Sequence, residues 1–246
     1  FIELGYARLG RLDYNDKDVA NYRKQIQEVF VPIWVKLFKR QMKRIKIRSP
    51  RFYDLGLNYL TGNPRPIGDA HFLVEQARTM YKEMSKETGE FFDFLTENHL
   101  MDLEARPGKQ GGGYMTYLAE YKSPFIFSNF NGTSGDVDVL THEFGHAYQG
   151  YCSRNIKVPS YRSPTLEACE IHSMSMEFFA WPWMDKFFGE NADKYRYAHL
   201  ADAMMFLPYG VTVDEFQHFV YENPNATHAE RCAKWREIEK KYTPLK

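Results

Sequence analysis

Apolar residues recur every third or fourth position through most of the chain, and that period predicts helices over 16–48, 70–85, 88–100, 136–153, 164–188, 191–206, 212–222 and 227–241. In the first of these, acidic residues come early and basic ones late, as the helix dipole favours, and Pro32 is expected to kink or split it. Breaks are expected at "TGNPRPIGD" (61–69) and at Pro159, Pro164, Gly189, Pro208 and Pro224. One stretch has a different rhythm. In "KQGGGYMTYLAEYKSPFIFSNFNGTSG" (109–135) glycines alternate with short aromatic and β-branched runs, which predicts two or three short strands. The expected fold is mainly α, a single domain over 1–246, with a helical part over 1–100, strands over 109–135 and a second helical part over 136–246.

Composition adds limits. With 246 residues and 43% apolar, the chain can bury a substantial core. Lys plus Arg and Asp plus Glu are equal at 32 each, so no overall field points to nucleic acid or a membrane surface, and neither is expected as a partner. The basic run "KLFKRQMKRIKIR" (36–48) reads as a solvated helix face with Leu37, Phe38, Met42 and Ile45 turned inward. Three cysteines, Cys152, Cys169 and Cys232, form no CxxC pair and no disulfide framework, which fits a reducing compartment. No run approaches the roughly 18 to 20 apolar residues of a spanning helix, and the start shows no signal-peptide pattern, so a cytoplasmic location is expected. The absence of an initiator Met suggests a piece of something longer.

The chemistry concentrates in "LTHEFGHAYQGYC" (140–152). His142 and His146 are one turn apart on the same helix face, so both imidazoles can reach one metal at about 2.0–2.1 Å. Glu143 lies about 100° round the helix, poorly placed as a third ligand but able to accept a proton from a water at the metal. The apolar stripe Val137, Leu140, Phe144, Tyr148, Tyr151 projects away from both histidines, so they are not core residues. The HExxHxxGxxH arrangement would need Gly at 149 and His at 152; the chain has Gln149 and Cys152. A second architecture takes a glutamate from a neighbouring helix. "SPTLEACEIHSMSMEFF" (163–179) fits one, with Pro164 in its first turn, Glu167, Glu170 and Glu177 on one face, and His172 pointing nearly the opposite way. The candidate third ligands are therefore glutamates, although salt bridges to neighbouring arginines would account for one or two of them equally well.

"HEFGHAYQ" followed by Glu170 in "EACEIHSMSMEFF", together with "GGGYMTY", "SPFIFSNFNGTSGDVDVLTHEFGHA" and "FLPYGVTVDEFQHFVYENPNAT", resembles the oligoendopeptidase F group of the thimet-oligopeptidase-like zinc metallopeptidases. The resemblance implies a multi-helix, gluzincin-type catalytic domain binding one zinc per chain through His142, His146 and Glu170, with Glu167 and Glu177 left for support of the ligands. It implies hydrolysis of internal bonds in short peptides by a zinc-activated water, with Glu143 as general base, in a deep channel. Self-association is compatible with it. Members of that group are longer, and their further segments wall the channel and supply a His and tyrosines for the substrate. Tyr209 is the in-chain tyrosine nominated to assist, and weak or absent turnover is expected of this chain.

For the strand segment, peptide binding by main-chain pairing at an exposed edge is expected, with Gly111, Gly112 and Gly113 permitting close approach and "FIFSNF", including Phe127, as the other candidate edge. Two further readings compete. The pairs Glu143-xx-His146 and Glu215-xx-His218, with Glu167 and Glu170, could make a di-iron carboxylate bundle, which would leave His142 idle. A non-catalytic peptide-binding module is the third.

Overall fold

A computed structural model describes residues 2–246. In chain order the elements are α1 Ile2–Arg8, α2 Asp16–Gln25, α3 Val31–Arg44, α4 Ala70–Met84, α5 Lys86–Glu97, β1 Met101–Glu104, β2 Tyr114–Leu118, β3 Ser123–Phe130, α6 Gly135–Ser153, α7 Ile171–Phe179, α8 Met184–Phe188, α9 Ala192–Glu222 and α10 His228–Tyr242. The mainly helical expectation holds. The chain forms two units, residues 64–196 and residues 1–63 with 197–246. Among the described residues no helix is long and apolar enough to cross a membrane.

The unit 64–196 is built on aromatic and aliphatic stripes. Leu73, Ala77, Met80 and Tyr81 of α4 meet Phe91, Phe92 and Leu95 of α5, and Val137, Leu140 and Phe144 of α6 complete the cluster with Phe187 and Phe188. Tyr81 and Phe144 stack with centroids 3.7 Å apart. Asp69 and Ser85 cap α4 and α5 by accepting from the Phe72 and Thr88 amides. The three strands form one sheet in the order β1-β3-β2, with β1 parallel and β2 antiparallel to β3. Strand β1 lies outside the predicted window, directly after the helical run expected to end at Leu100. The stretch "FIFSNF" is not an edge: β3 is the central strand, and Phe127 pairs with Asp102 on one side and Tyr114 on the other. The free edge beside α6 belongs to β2.

In the other unit, the run expected to kink or split at Pro32 stays helical by widening. Residues Ile26–Phe30 form a π-helical turn, with the Val31 amide bonded to the Ile26 carbonyl, just ahead of Pro32. A proline ring clashes with the carbonyl four residues back, and a wider turn is one way to relieve it. Trp34 and Phe38 stack at 4.9 Å over Met42 and Ile45, while the basic residues Lys36, Lys39, Arg40 and Lys43 face outward. Pro208, expected as a break, sits inside the single helix α9. The roughly 3 kcal/mol cost of an interior proline is set against burial of neighbouring Leu207 and Val211 with Ile26, Ile238 and Tyr242.

That unit also holds a polar network. The Arg23 guanidinium bonds Asp214 at 2.6 Å, the Tyr6 hydroxyl meets His218 Nε2 at 2.8 Å, and Glu215 accepts from Lys241 at 2.8 Å and from the Tyr242 hydroxyl. Burial pushes the Glu215 carboxyl up, but the hydrogen bonds from Lys241 and Tyr242 and the charges of Lys241 and Arg23 outweigh it, leaving the group below the usual carboxylate range. A depressed folded-state value contributes stability above the unfolded value near 4.3, and that stability is lost as pH falls through the folded one. Glu215→Gln is therefore expected to cost about 1–3 kcal/mol at pH 7 in urea unfolding, with the gap from wild type closing as the pH is lowered through the acid range.

Candidate metal centre

The site starts at the turn between β3 and α6. The buried Asp136 carboxylate accepts from the Asn131 amide at 2.9 Å and the Gly132 amide at 2.8 Å, which ties the entry of α6 to the end of the strand. Along α6, Val137, Leu140, Phe144 and Ala147 are buried while His142 and His146 are partly exposed on another face. That face meets α7. A Cβ on Gly145 would stand 2.6 Å from Ser173 Cα and 2.8 Å from the His172 carbonyl oxygen, so the two backbones touch only because residue 145 has no side chain.

Helix α7 begins at Ile171, not at residue 164 as the apolar period suggested; residues 166–170 form turns. Glu170 immediately precedes the helix, and its carboxylate turns back to accept from Ser173 Oγ at 2.7 Å. The common helix face expected for Glu167, Glu170 and Glu177 therefore does not exist. Glu167 is exposed in the turn, Glu170 reaches the histidines, and Glu177 lies behind one of them. His172, expected to point away, stands against His146, because a residue one step inside a helix start is not related to Glu170 by helical rotation.

Three atoms converge. His142 Nε2 is 3.2 Å from His146 Nε2 and 3.0 Å from Glu170 Oε2, and His146 Nε2 is 3.2 Å from the same oxygen. Behind them, His142 Nδ1 meets Glu177 Oε1 at 2.6 Å and His146 Nδ1 meets His172 Nε2 at 3.0 Å. When both Nδ1 atoms carry the ring proton, three lone-pair atoms face one another with no proton to share. A cation is what such a set accommodates, and tetrahedral zinc with bonds of about 2.0–2.1 Å separates its donors by about 3.3 Å. The donor set fits zinc. Glu170 is about half exposed, so the site opens to solvent on that side.

Electrostatics differ across the site. Burial works against charge on His142, but the Glu177 hydrogen bond and the carboxylates of Glu177, Glu143 and Glu170 raise its pKa. For His146, burial lowers the value, and His142 and His172 add to that against Glu170. Burial likewise pulls His172 down. Glu170 is pushed up by burial, yet Ser173 and the histidines bring it below its ordinary value. Glu143 goes the other way: burial raises it, against His142 and the Met115 amide. It is 7% exposed, and its Oε2 has no hydrogen-bond partner.

The remaining nominated residues are dispersed. Gly112 has φ +99°, and its carbonyl accepts from Asn129 Nδ2 at 2.8 Å; Gly113 packs close to Val139 of α6, where a Cβ would be 3.1 Å from Cγ1. The Phe127 ring stacks on Tyr114 at 5.0 Å with Lys109 Nζ over it at 4.5 Å. Tyr209 belongs to α9 in the other unit. The second ExxH pair, Glu215 and His218, is engaged by Lys241, Tyr242, Tyr6 and Arg23, and the one group of three metal-binding side chains among the described residues is His142, His146 and Glu170. That arrangement does not supply the di-iron set. Sequence reasoning missed His172 and Gly145; the glycine beside a histidine ligand, inside a helix, was the available sign of a close backbone approach.

Comparison with known proteins gives the family of the chain. The model for peptidase family M3 matches residues 79–246. The whole chain is similar to a crystallised protein described as a candidate oligoendopeptidase F, with 62% identity and a TM-score of 0.98, and to Pz peptidase A determined with an inhibitor, also at 62% and 0.98. Over 99% of its length it is similar to a candidate oligoendopeptidase F from Bacillus anthracis str. Ames, at 60% identity and a TM-score of 0.97. It covers 44% of the first two chains and 45% of the third, less than half of each. No curated protein matches the chain.

Gly145→Ala offers a direct test of the helix contact. Helix propensity favours alanine by about 1 kcal/mol, but the clash is with backbone atoms that cannot turn aside, so a net loss of about 1–3 kcal/mol is expected in urea unfolding. Zinc affinity should fall with it, since α7 carries Glu177 and His172.

Proposed function

This chain belongs to peptidase family M3, and from that membership we propose that it carries the zinc-binding core of an oligoendopeptidase that hydrolyses internal bonds of short peptides. The observation that carries the reading is the meeting of His142 Nε2, His146 Nε2 and Glu170 Oε2 within 3.2 Å of one another, with an unpartnered Glu143 oxygen beside them. His142, His146 and Glu170 hold the metal, one per chain. Zinc bound there supplies Lewis acidity, lowering the pKa of a water and polarising the substrate carbonyl.

The chain's own residues do the rest. Glu143 takes a proton at its carboxylate from the attacking water and passes it to the leaving amine nitrogen; a carboxyl raised by burial suits both halves of that exchange. Glu177 fixes the His142 ring by accepting its Nδ1 proton, and a carboxylate in that place makes the ring a stronger donor. An extended peptide pairs with the free edge of β2, whose Met115 amide reaches Glu143, so the strand that holds the substrate also borders the base. Gly112 and Gly113 lead into that edge, and Gly113 lets it lie close to α6. The substrate class is short peptides; neither nucleic acid nor membrane is a partner in this reading. Because the chain spans 44% of its relatives' length, turnover by residues 1–246 is expected to be weak.

Zinc content and turnover of a quenched short peptide test the proposal together. Wild type should carry one zinc per chain. Glu143→Gln should keep the metal and lose turnover by about 10²- to 10⁴-fold, whereas Glu170→Ala should lose both. Zinc-free wild-type protein, or undiminished turnover in Glu143→Gln, would sink the reading.

A further inference from the structure

We infer that His172 is the positioning residue of His146: by accepting the proton on Nδ1 of that ring, it holds the Nε2 lone pair toward Glu170 and His142. The inference rests on the zinc reading above. A neutral imidazole has one N–H, and the nitrogen that carries it cannot bind metal. The two ligand histidines solve this requirement differently. His142 gives its Nδ1 to the Glu177 carboxylate, whereas His146 Nδ1 faces His172 Nε2 at 3.0 Å. The two rings cross at 77° with centroids 5.0 Å apart, an edge-on arrangement that sets a lone pair of one on the N–H of the other.

This contact has structural backing. The His172 carbonyl and Ser173 Cα occupy the space that a Cβ on Gly145 would need, so the backbone of His172 is seated on the residue next to His146. His172 Nε2 is directed at Nδ1 of His146, on the far side of that ring from the converging Nε2 and Oε2 atoms, so it supports a ligand and is not itself one. The consequence follows from what His146 does without it. Its Nε2 faces two acceptors, His142 Nε2 and Glu170 Oε2, at 3.2 Å each, and those acceptors favour a proton on Nε2. A proton there competes with the metal. His172 offsets that competition by giving the proton an acceptor at the other nitrogen.

The test is zinc affinity, measured by competition with a chromophoric chelator, for wild type, His172→Phe and His172→Gln. Phenylalanine keeps the ring's bulk without an acceptor; the glutamine amide oxygen restores one near the position of Nε2. His172→Phe is expected to bind zinc about 10- to 100-fold more weakly, and His172→Gln to recover most of the loss. Wild-type affinity in His172→Phe overturns the inference, and so does a glutamine variant as weak as the phenylalanine one. Should His172→Phe not fold, ¹⁵N-histidine spectra of the zinc-loaded wild type decide instead: His172 Nε2 must be unprotonated and His146 Nδ1 protonated, and the reverse pattern overturns the inference. A wild type that takes up no zinc overturns the zinc reading itself, which separates that failure from failure of the role of His172.

Discussion

The backbone contact between α6 and α7 at Gly145 is the constraint on which the site depends. Glu170, just ahead of α7, and His172 and Glu177 within it all reach the two histidines of α6, and each contact is a hydrogen-bond-length distance with no slack. Helices packed through ordinary side chains stand about 8–10 Å apart, and a glycine at the crossing lets the axes come closer. The price of that approach is met by the aromatic cluster on the other side of α6, where Phe144 stacks on Tyr81 and packs against Phe91 and Phe92. The residues alternate in duty along one helix: apolar side chains anchor it, the glycine admits α7, and the histidines between them face the gap.

The sheet plays a complementary part. With β3 in the centre and α6 leading directly out of it through the Asp136 turn, β2 is left as an open edge alongside the helix that bears the base. Edge strands are usually a hazard because their main-chain groups seek partners. Here the proposed substrate is an extended peptide, and the unpaired edge becomes the means of holding it. Asp102 and Lys109 keep the preceding loop in place: Lys109 Nζ bonds the Asp102 carboxylate at 3.0 Å and the Glu104 carbonyl at 2.8 Å, so the glycines that follow enter β2 from a fixed point.

What was legible in the sequence follows from which physics acts locally. The placing of His142 and His146 on a face away from Val137, Leu140 and Phe144 needs only helical periodicity, and α6 shows it. The assignment of Glu170 over Glu167 or Glu177 could not come from periodicity, because the helix starts at residue 171 and the shared face never forms; the resemblance to a peptidase group singled it out. His172 was read wrongly for the same reason. Strand order is a matter of long-range pairing, so the central position of β3 left no mark in its own residues. Pro208 and Pro32 show the limit of local breakers: tertiary burial kept one helix continuous, and a π turn absorbed the other proline.

Charge explains why the proposed base is the residue it is. Two neutral imidazoles, the Glu170 carboxylate and the Glu177 carboxylate together carry two negative charges, which balance a divalent cation. Glu143 is then the one carboxylate in excess, buried, with an oxygen that nothing else engages. Its proton uptake brings the assembly to neutrality in a region where net charge is costly, so burial and electrostatics push in the same direction. The other carboxylates are already engaged, Glu170 by Ser173 and the two histidines and Glu177 by the His142 ring. The proposed division between ligands and base in "HEFGH" thus rests on what surrounds each residue on α7 and β2 as much as on the spacing of the motif itself.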